Sequence, residues 1–212
     1  MPQKPRGSHA LDKPPGISLA HYEITTDPIH DRHYQRLPRH VKEAIERLHD
    51  VAQRRPREAI PELRDLLKQY PRVPQLYNYL SVAYAQAGQR QEAESVVEEN
   101  YQRNPEYLFA RLNYAEVCLA RGDYAQVADI FAHTFDLHAL YPQRKRFHLS
   151  EVANFMGTAG LYVLAIGNRA LAEHYDALLQ QIAPDFPLTT RLHKKLFPGL
   201  VRRLWRSVTG RS

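Results

Sequence analysis

The sequence predicts an all-α protein, and three observations lead to this prediction. In the stretches QLYNYLSVAYAQA and EAESVVEENY, apolar residues recur at intervals of three and four, which places them on one face of a helix. Glycine and proline interrupt such stretches where helices are expected to end and begin. No segment shows a clear alternation of apolar and polar residues with a period of two, so we expect almost no β-strand.

The same residues predict individual helix boundaries. Gly88 and Gly122 are expected to end helices in the left-handed conformation, which glycine adopts without steric cost. Pro61 is expected in the first turn of a helix that starts near Glu58, where its missing N–H costs little. Other boundaries are expected at Pro56, Pro71, Pro74, Pro105 and Pro142.

A pattern recurs along the chain with a period of about 34 residues. Its clearest copy starts at Pro74, contains YNYLSVAY and turns at Gly88. In the next copy, Gly122 occupies the turn and Phe131 the aromatic place of the second helix. An earlier copy is recognised from its second helix by Ala59, Leu63, Leu66 and Pro71. A fourth fits after an insertion of about eleven residues, with Ala153, Gly160, Gly167, Ala172, Leu179 and Pro184 in the expected places.

This pattern resembles the tetratricopeptide repeat (TPR) family, whose signature is W-x2-L-G-x2-Y, then A-x3-F, then P. Arg111, Cys118 and Val127 depart from the residues usual in the family. The resemblance implies a TPR-like α-solenoid of about four helix-turn-helix repeats with a C-terminal amphipathic helix. The repeats would lie near 40–73, 74–107, 108–141 and 153–186, between a flexible or extended N-terminal arm (1–38) and a basic C-terminal amphipathic helix or cap (187–212).

The resemblance also implies where a partner would bind. In such an array the first helix of each pair lines a concave groove, which suits an extended peptide or an amphipathic helix. The family's clamp for acidic chaperone tails needs cations at these places, and the sequence does not supply them, so we reject that specific use. Some of these residues could instead belong to the core or be covered by the protein's own termini. The predicted groove residues are Ala44, Leu48, Asn78, Val82, Gln86, Phe109, Leu112, Asn113 and Glu116.

The net formal charge of +6 is concentrated at the C-terminus. In GLVRRLWRSV, the apolar and the cationic side chains fall on separate faces of a helix. We favour a helix that caps the array, and the alternative is a contact with an anionic membrane or an acidic partner. Nucleic-acid binding is less favoured, because one short cationic segment provides no base readout. The predicted contact residues are Lys194, Lys195, Arg202, Arg203, Trp205 and Arg206.

No catalytic site, cofactor or metal site is predicted. His30 and His33 are the closest histidine pair, but a structural zinc needs four ligands, and neither paired cysteines nor an HExxH motif is present. We therefore expect a non-enzymatic interaction scaffold or adaptor whose partner is another protein, with self-association left open. A peripheral membrane adaptor or assembly factor and an enzyme with an unrecognised site are the alternatives. The single cysteine, Cys118, and the lack of a signal-like apolar stretch lead us to expect a cytoplasmic protein, peripheral at a membrane in the alternative case.

Overall fold

A computed structural model describes residues 21–29 and 32–199, and the predicted contacts at Arg202, Arg203, Trp205 and Arg206 lie outside them. Within these residues the protein is mostly helical, as predicted. The described elements are, in order, β1 (Glu23–Thr25), α1 (Arg32–Gln35), α2 (Arg39–Arg54), α3 (Pro56–Gln69), α4 (Pro74–Gln86), α5 (Arg90–Arg103), α6 (Leu108–Arg121), α7 (Tyr124–Ile130), α8 (Leu137–Leu140), β2 (Arg146–His148), α9 (Leu149–Ala165), α10 (Arg169–Ile182) and α11 (Pro187–Leu196).

Short turns join consecutive helices into pairs that pack against each other: α2 with α3, α4 with α5, α6 with α7, and α9 with α10. Gly88, Gly122 and Gly167 lie in three of these turns with φ values of +79°, +76° and +91°. A residue with a Cβ rarely adopts such angles, so glycine lets the chain reverse there at little cost. The left-handed conformations predicted at Gly88 and Gly122 are confirmed.

The buried apolar side chains form two clusters along the chain. The first lies among α2, α3 and α4 and includes Ile45, Leu63 and Leu76. The second extends from α6 to α11 and includes Phe131 and Tyr175. Because α4 and α6 lie at the boundary between the two clusters, side chains on these two helices are placed next to each other there.

The segment that precedes the helices is not a free arm from residue 21 onward. β1 pairs with β2 in a parallel two-stranded sheet, in which Glu23 lies opposite Arg146. The ring of Tyr22 packs edge-on against that of Phe147 at 5.0 Å, and the side chain of Tyr34 in α1 is buried. Of the two alternatives predicted for residues 1–38, a flexible or an extended arm, the strand β1 is extended, and backbone pairing and aromatic packing hold it on the helices.

Two helix boundaries also differ from the sequence prediction. α3 begins at Pro56 rather than near Glu58, so Pro61 lies inside the helix. Residues 57 and 61 are both exposed, and solvent can hydrate the carbonyl group that Pro61 leaves without an N–H partner. α7 ends at Ile130, and Phe131 lies just beyond it rather than within it. The Phe131 ring is buried, with its centre 5.6 Å from that of the Phe155 ring. Contacts with α9 therefore hold this residue in place after α7 has ended.

α11 packs closely on α9 through two glycines. A Cβ atom on Gly157 would lie 2.6 Å from the Cβ of Leu188, and one on Gly160 would lie 2.5 Å from the Cδ2 of Leu192. The two contacts advance in the same direction along both helices, so α11 runs parallel to α9. Among residues 21–29 and 32–199, no helix combines the length and the apolar character needed to cross a membrane.

Candidate functional site

A groove of about 520 Å³ lies between α4 and α6, with the first half of α5 beneath it. Val82 and Ala85 of α4 form one wall, and Val117 of α6 belongs to the other. Val82 is one of the few exposed large apolar side chains in the described structure, at 37% exposure. The other residues that line the groove are Ser81, Gly88, Arg90, Ala93, Glu94, Val97, Asn113 and Glu116. An apolar surface between two helices with a few polar groups is a common site for a peptide or a helix.

Glu116 provides the most prominent polar group on the α6 wall. Its Oε2 accepts a hydrogen bond of 2.6 Å from the Arg191 guanidinium of α11. Its Oε1 is buried and has no hydrogen-bond partner in the described structure. An unpaired buried carboxylate oxygen is costly, and because it has almost no exposed surface it is not a contact point for a segment bound in the groove.

An asparagine network links the groove to the helices around it. The Oδ1 of Asn78 accepts hydrogen bonds from the side chains of Asn113 at 3.1 Å and Asn100 at 3.0 Å. Asn100 is 1% exposed and also donates to the backbone carbonyl of Pro74. Asn78 and Asn113, both predicted groove residues, therefore bind each other, and only Asn113 lines the groove.

The end of the groove near the Gly88 turn carries an ion-pair network. Glu94 accepts hydrogen bonds from Arg90 at 2.7 Å and from Arg121 at 2.6 Å. The two arginine hydrogen bonds lower the pKa of Glu94 from its ordinary value. Because Glu94 is on α5 and Arg121 is on α6, this network fixes the two helices beside the groove.

Two of the predicted groove residues are buried in the core, which corrects their assignment. Leu48 is fully buried and lies on the same face of α2 as Val41, Ile45 and Ala52. Leu112 is 2% exposed and belongs to the cluster that extends from α6 to α11. A helical periodicity shows which residues share a face, but it does not distinguish the face that contacts the next helix from the face that contacts solvent.

Three other predicted residues lie apart from the groove. Ala44 is half-buried on α2, and Phe109 is half-buried with its ring 5.8 Å from that of Tyr107. Gln86 is exposed and lines a separate hollow beside residues 55–58. The structure thus brings together Val82, Asn113 and Glu116 of the predicted set. Lys194 and Lys195, the predicted contact residues within α11, are exposed.

Sequence reasoning missed the groove residues of α5. The family resemblance assigned the binding surface to first helices only, but Ala93 and Val97 of α5 form its floor. Val117 was also missed, although it directly follows Glu116 in the sequence. The available signal in the sequence was the set of short apolar residues near the turn at Gly88, namely Ala85, Ala93 and Val97. Short side chains at these positions leave space for a groove between two helices.

A second cavity, of about 440 Å³, lies near the beginnings of α4 and α6. Arg144 donates to both carboxylate oxygens of Glu151, at 3.0 and 2.8 Å, and its guanidinium lies 4.0 Å from the centre of the Phe147 ring. Glu151 also accepts from the backbone N–H of His148 and so caps α9. Because Arg144, Glu151 and the His148 N–H already bind one another, we assign them a structural role and do not propose this cavity as a binding site.

The described residues contain no group of three or more His, Cys, Asp or Glu side chains arranged to hold a metal ion. Cys118 is buried, and burial raises the pKa of its thiol. A raised pKa disfavours the reactive thiolate.

Comparisons of the chain with protein-family models, with curated proteins and with solved structures found no match.

Proposed function

We propose that the protein is a non-enzymatic scaffold or adaptor that binds a peptide or helix of another protein in the groove between α4 and α6. The observation that supports this proposal is the exposed apolar wall formed by Val82 and Ala85, in a groove that Glu116 of α6 also lines. An apolar side chain of the bound segment would cover this wall and remove it from water.

The TPR-like arrangement is part of the same proposal. The second helices of three successive pairs begin 34 residues apart, since α3, α5 and α7 start at Pro56, Arg90 and Tyr124. A stack of such pairs places successive first helices side by side, and grooves between them are its natural binding surfaces. The groove between α4 and α6 would be one of these.

Site-specific photo-crosslinking tests the proposed site. A photoreactive residue at Ala85 should form an adduct with a partner protein, whereas the same residue at Ile29 should not, because Ile29 is exposed but borders the other cavity. The partner segment identified in the adduct should then bind the purified protein with at least tenfold lower affinity when Val82 is replaced by Glu, since burying an unpaired charge is costly. Equal adducts at both positions, or unchanged affinity in a folded Val82→Glu variant, would refute the groove assignment.

A further inference from the structure

The groove between α4 and α6 contains few charged side chains, and its carboxylates are already paired. Among the described residues that line it, only Arg90, Glu94 and Glu116 carry a charge. Glu94 accepts hydrogen bonds from Arg90 and from Arg121, and Glu116 accepts one from Arg191. Three arginines of the chain therefore bind the two carboxylates of the groove.

The arginine on Glu116 comes from a distant part of the chain. Arg191 lies on α11, 75 residues after Glu116, and the distance between the guanidinium nitrogen and the carboxylate oxygen is 2.6 Å. α11 is held firmly in place, because Leu192 and Leu196 are buried and Gly157 allows the helix to approach α9 closely. α11 thus contributes to the groove, although none of its residues lines it.

The charge of Glu116 depends on Arg191 for its neutralisation. In the described structure, the Oε2 of Glu116 accepts the hydrogen bond from Arg191, and the buried Oε1 has no partner. Without the guanidinium, a carboxylate with no donor would border the apolar surface that Val82 and Ala85 form. An unpaired charge at this place disfavours an apolar ligand and attracts a cationic one.

We propose that Arg191 is a specificity-determining residue of the groove: by neutralising Glu116, it makes the groove select an uncharged apolar side chain over a cationic one. A cationic side chain would have to leave water and would find both carboxylates of the groove bound to arginines. An apolar side chain needs no opposite charge and covers the wall. This inference names the class of side chain bound at the proposed site, so its biological meaning rests on the function proposed above.

Thiol exchange at position 85 tests this selection without a partner protein. Cys118 is buried and is the only cysteine of the chain, so Ala85→Cys introduces one accessible thiol. The variant is equilibrated with equal concentrations of propanethiol and cysteamine and of their disulfides, and intact mass spectrometry gives the ratio of the two adducts. These adducts differ only in their terminal group, a methyl or an ammonium. Gln86→Cys, at an exposed position outside the groove, provides the reference ratio.

The propyl adduct should be favoured several-fold more at the groove position than at the reference position. Arg191→Met should abolish or reverse this preference, and adding Glu116→Gln should restore it, because a neutral amide needs no opposite charge. Arg191→Lys keeps the charge and should retain the preference. The matched control is Arg47→Met, which removes the arginine of another ion pair between helices, with Glu62, and should leave the ratio unchanged because neither residue lines the groove. Circular dichroism verifies that all variants remain folded.

Other results would overturn the proposal in distinguishable ways. Equal ratios at the two positions would mean that the groove does not select between the two groups. A preference that persists in the Arg191→Met variant would mean that another feature determines the selection. A preference that is lost in this variant and is not restored by Glu116→Gln would mean that α11 acts through its packing and not through charge.

The experiment separates this proposal from the function itself, because it contains no partner. If the expected ratios are found but no partner protein forms an adduct at Ala85, only the function is wrong. If the partner adduct forms and the ratios do not differ, only the selection is wrong. If both are right, the partner side chain nearest to the photoreactive residue should be apolar and uncharged.

Discussion

Val82 and Leu112 show how residues of similar character differ in what they do. Both are aliphatic residues on neighbouring helices, and both were expected in the groove. Val82 is 37% exposed, whereas Leu112 is 2% exposed and lies in the core. Leu112 lies on the side of its helix that faces the core, so burying its side chain stabilises the fold. Val82 lies on a side that faces solvent, so it contributes less to stability and is available to a partner.

Replacing Leu112 by Ala should therefore lower the free energy of unfolding by about 2–5 kcal/mol, because the deletion leaves a cavity in the core. Replacing Val82 by Ala should change it by less than about 0.5 kcal/mol, since an exposed site has little packing to lose. Urea unfolding followed by circular dichroism measures both values. A Leu112→Ala variant as stable as the Val82→Ala variant would mean that Leu112 is not part of the core.

At the scale of the elements, the contact between α4, α5 and α6 is polar as well as apolar. Asn78 accepts from Asn100 and Asn113, which lie on α5 and α6, so one side chain joins three helices. The network lies where the first apolar cluster meets the second. Hydrogen bonds require specific distances and angles, and the network therefore sets the position of α6 relative to α4 more precisely than apolar packing does.

Replacing Asn78 by Ala should destabilise the protein by about 1–3 kcal/mol, because the buried amide of Asn100 would lose one of its two acceptors and Asn113 would lose the acceptor that Asn78 provides. Gln86→Ala is the control, since Gln86 is an exposed polar residue at the C-terminal end of the same helix, α4. Thermal unfolding of the two variants provides the comparison. Equal midpoints would show that the Asn78 side chain contributes no net stability.

The close approach of α11 to α9 is a second property of the elements. Replacing Gly157 by Ala would place a Cβ 2.6 Å from the Cβ of Leu188, an atom fixed to the α11 backbone, so α11 must move. The cost should be about 1–3 kcal/mol. Hydrogen exchange should report faster exchange in α11, whereas Gly199→Ala, where no atom lies within 4 Å, should leave it unchanged. Unaltered exchange in the Gly157→Ala variant would contradict the tight packing of α11.

At the scale of the whole molecule, buried tyrosines are distributed over both apolar clusters and the β1–β2 region. Burial is the main cause that raises the pKa of Tyr22, Tyr34 and Tyr141 to about 12, and it also raises the pKa of Tyr175. Above pH 10 the unfolded chain loses these phenolic protons first, so the folded state binds more protons than the unfolded state. Stability should then fall as the pH rises.

We expect the free energy of unfolding to decrease between about pH 10 and 12. Tyr141 alone can contribute up to about 3 kcal/mol to this decrease, because burial raises its pKa from 10.0 to about 12. Tyr141→Phe should remove that part, and it should cost little at pH 7 since the buried hydroxyl has no partner in the described structure. Urea unfolding of both proteins across this range checks the prediction. An identical decrease in the variant would show that Tyr141 does not titrate as described.

The sequence predicted the features of this molecule that local chemistry determines. The turns at Gly88 and Gly122 and the mostly helical fold follow from glycine conformation and helical periodicity. It did not predict that Leu112 is buried or that α5 forms the groove floor, because both depend on which helix packs beside which. The pairing of Glu23 with Arg146 was missed for a similar reason, since three-residue strands are too short to show a periodic pattern.

The pairing of β1 with β2 has a consequence for the order in which the chain folds. The helix pairs contact their neighbours in sequence and can form as the chain emerges from the ribosome, but Thr25 contacts Arg146 across 121 residues. The first strand must therefore wait while most of the protein is synthesised, and Ile24 and Tyr22 remain uncovered during that time. Because closing so long a loop is slow, this contact should form late in folding. A chaperone that binds the nascent chain would find an apolar target at Tyr22 and Ile24 that persists until Arg146 and Phe147 have been synthesised.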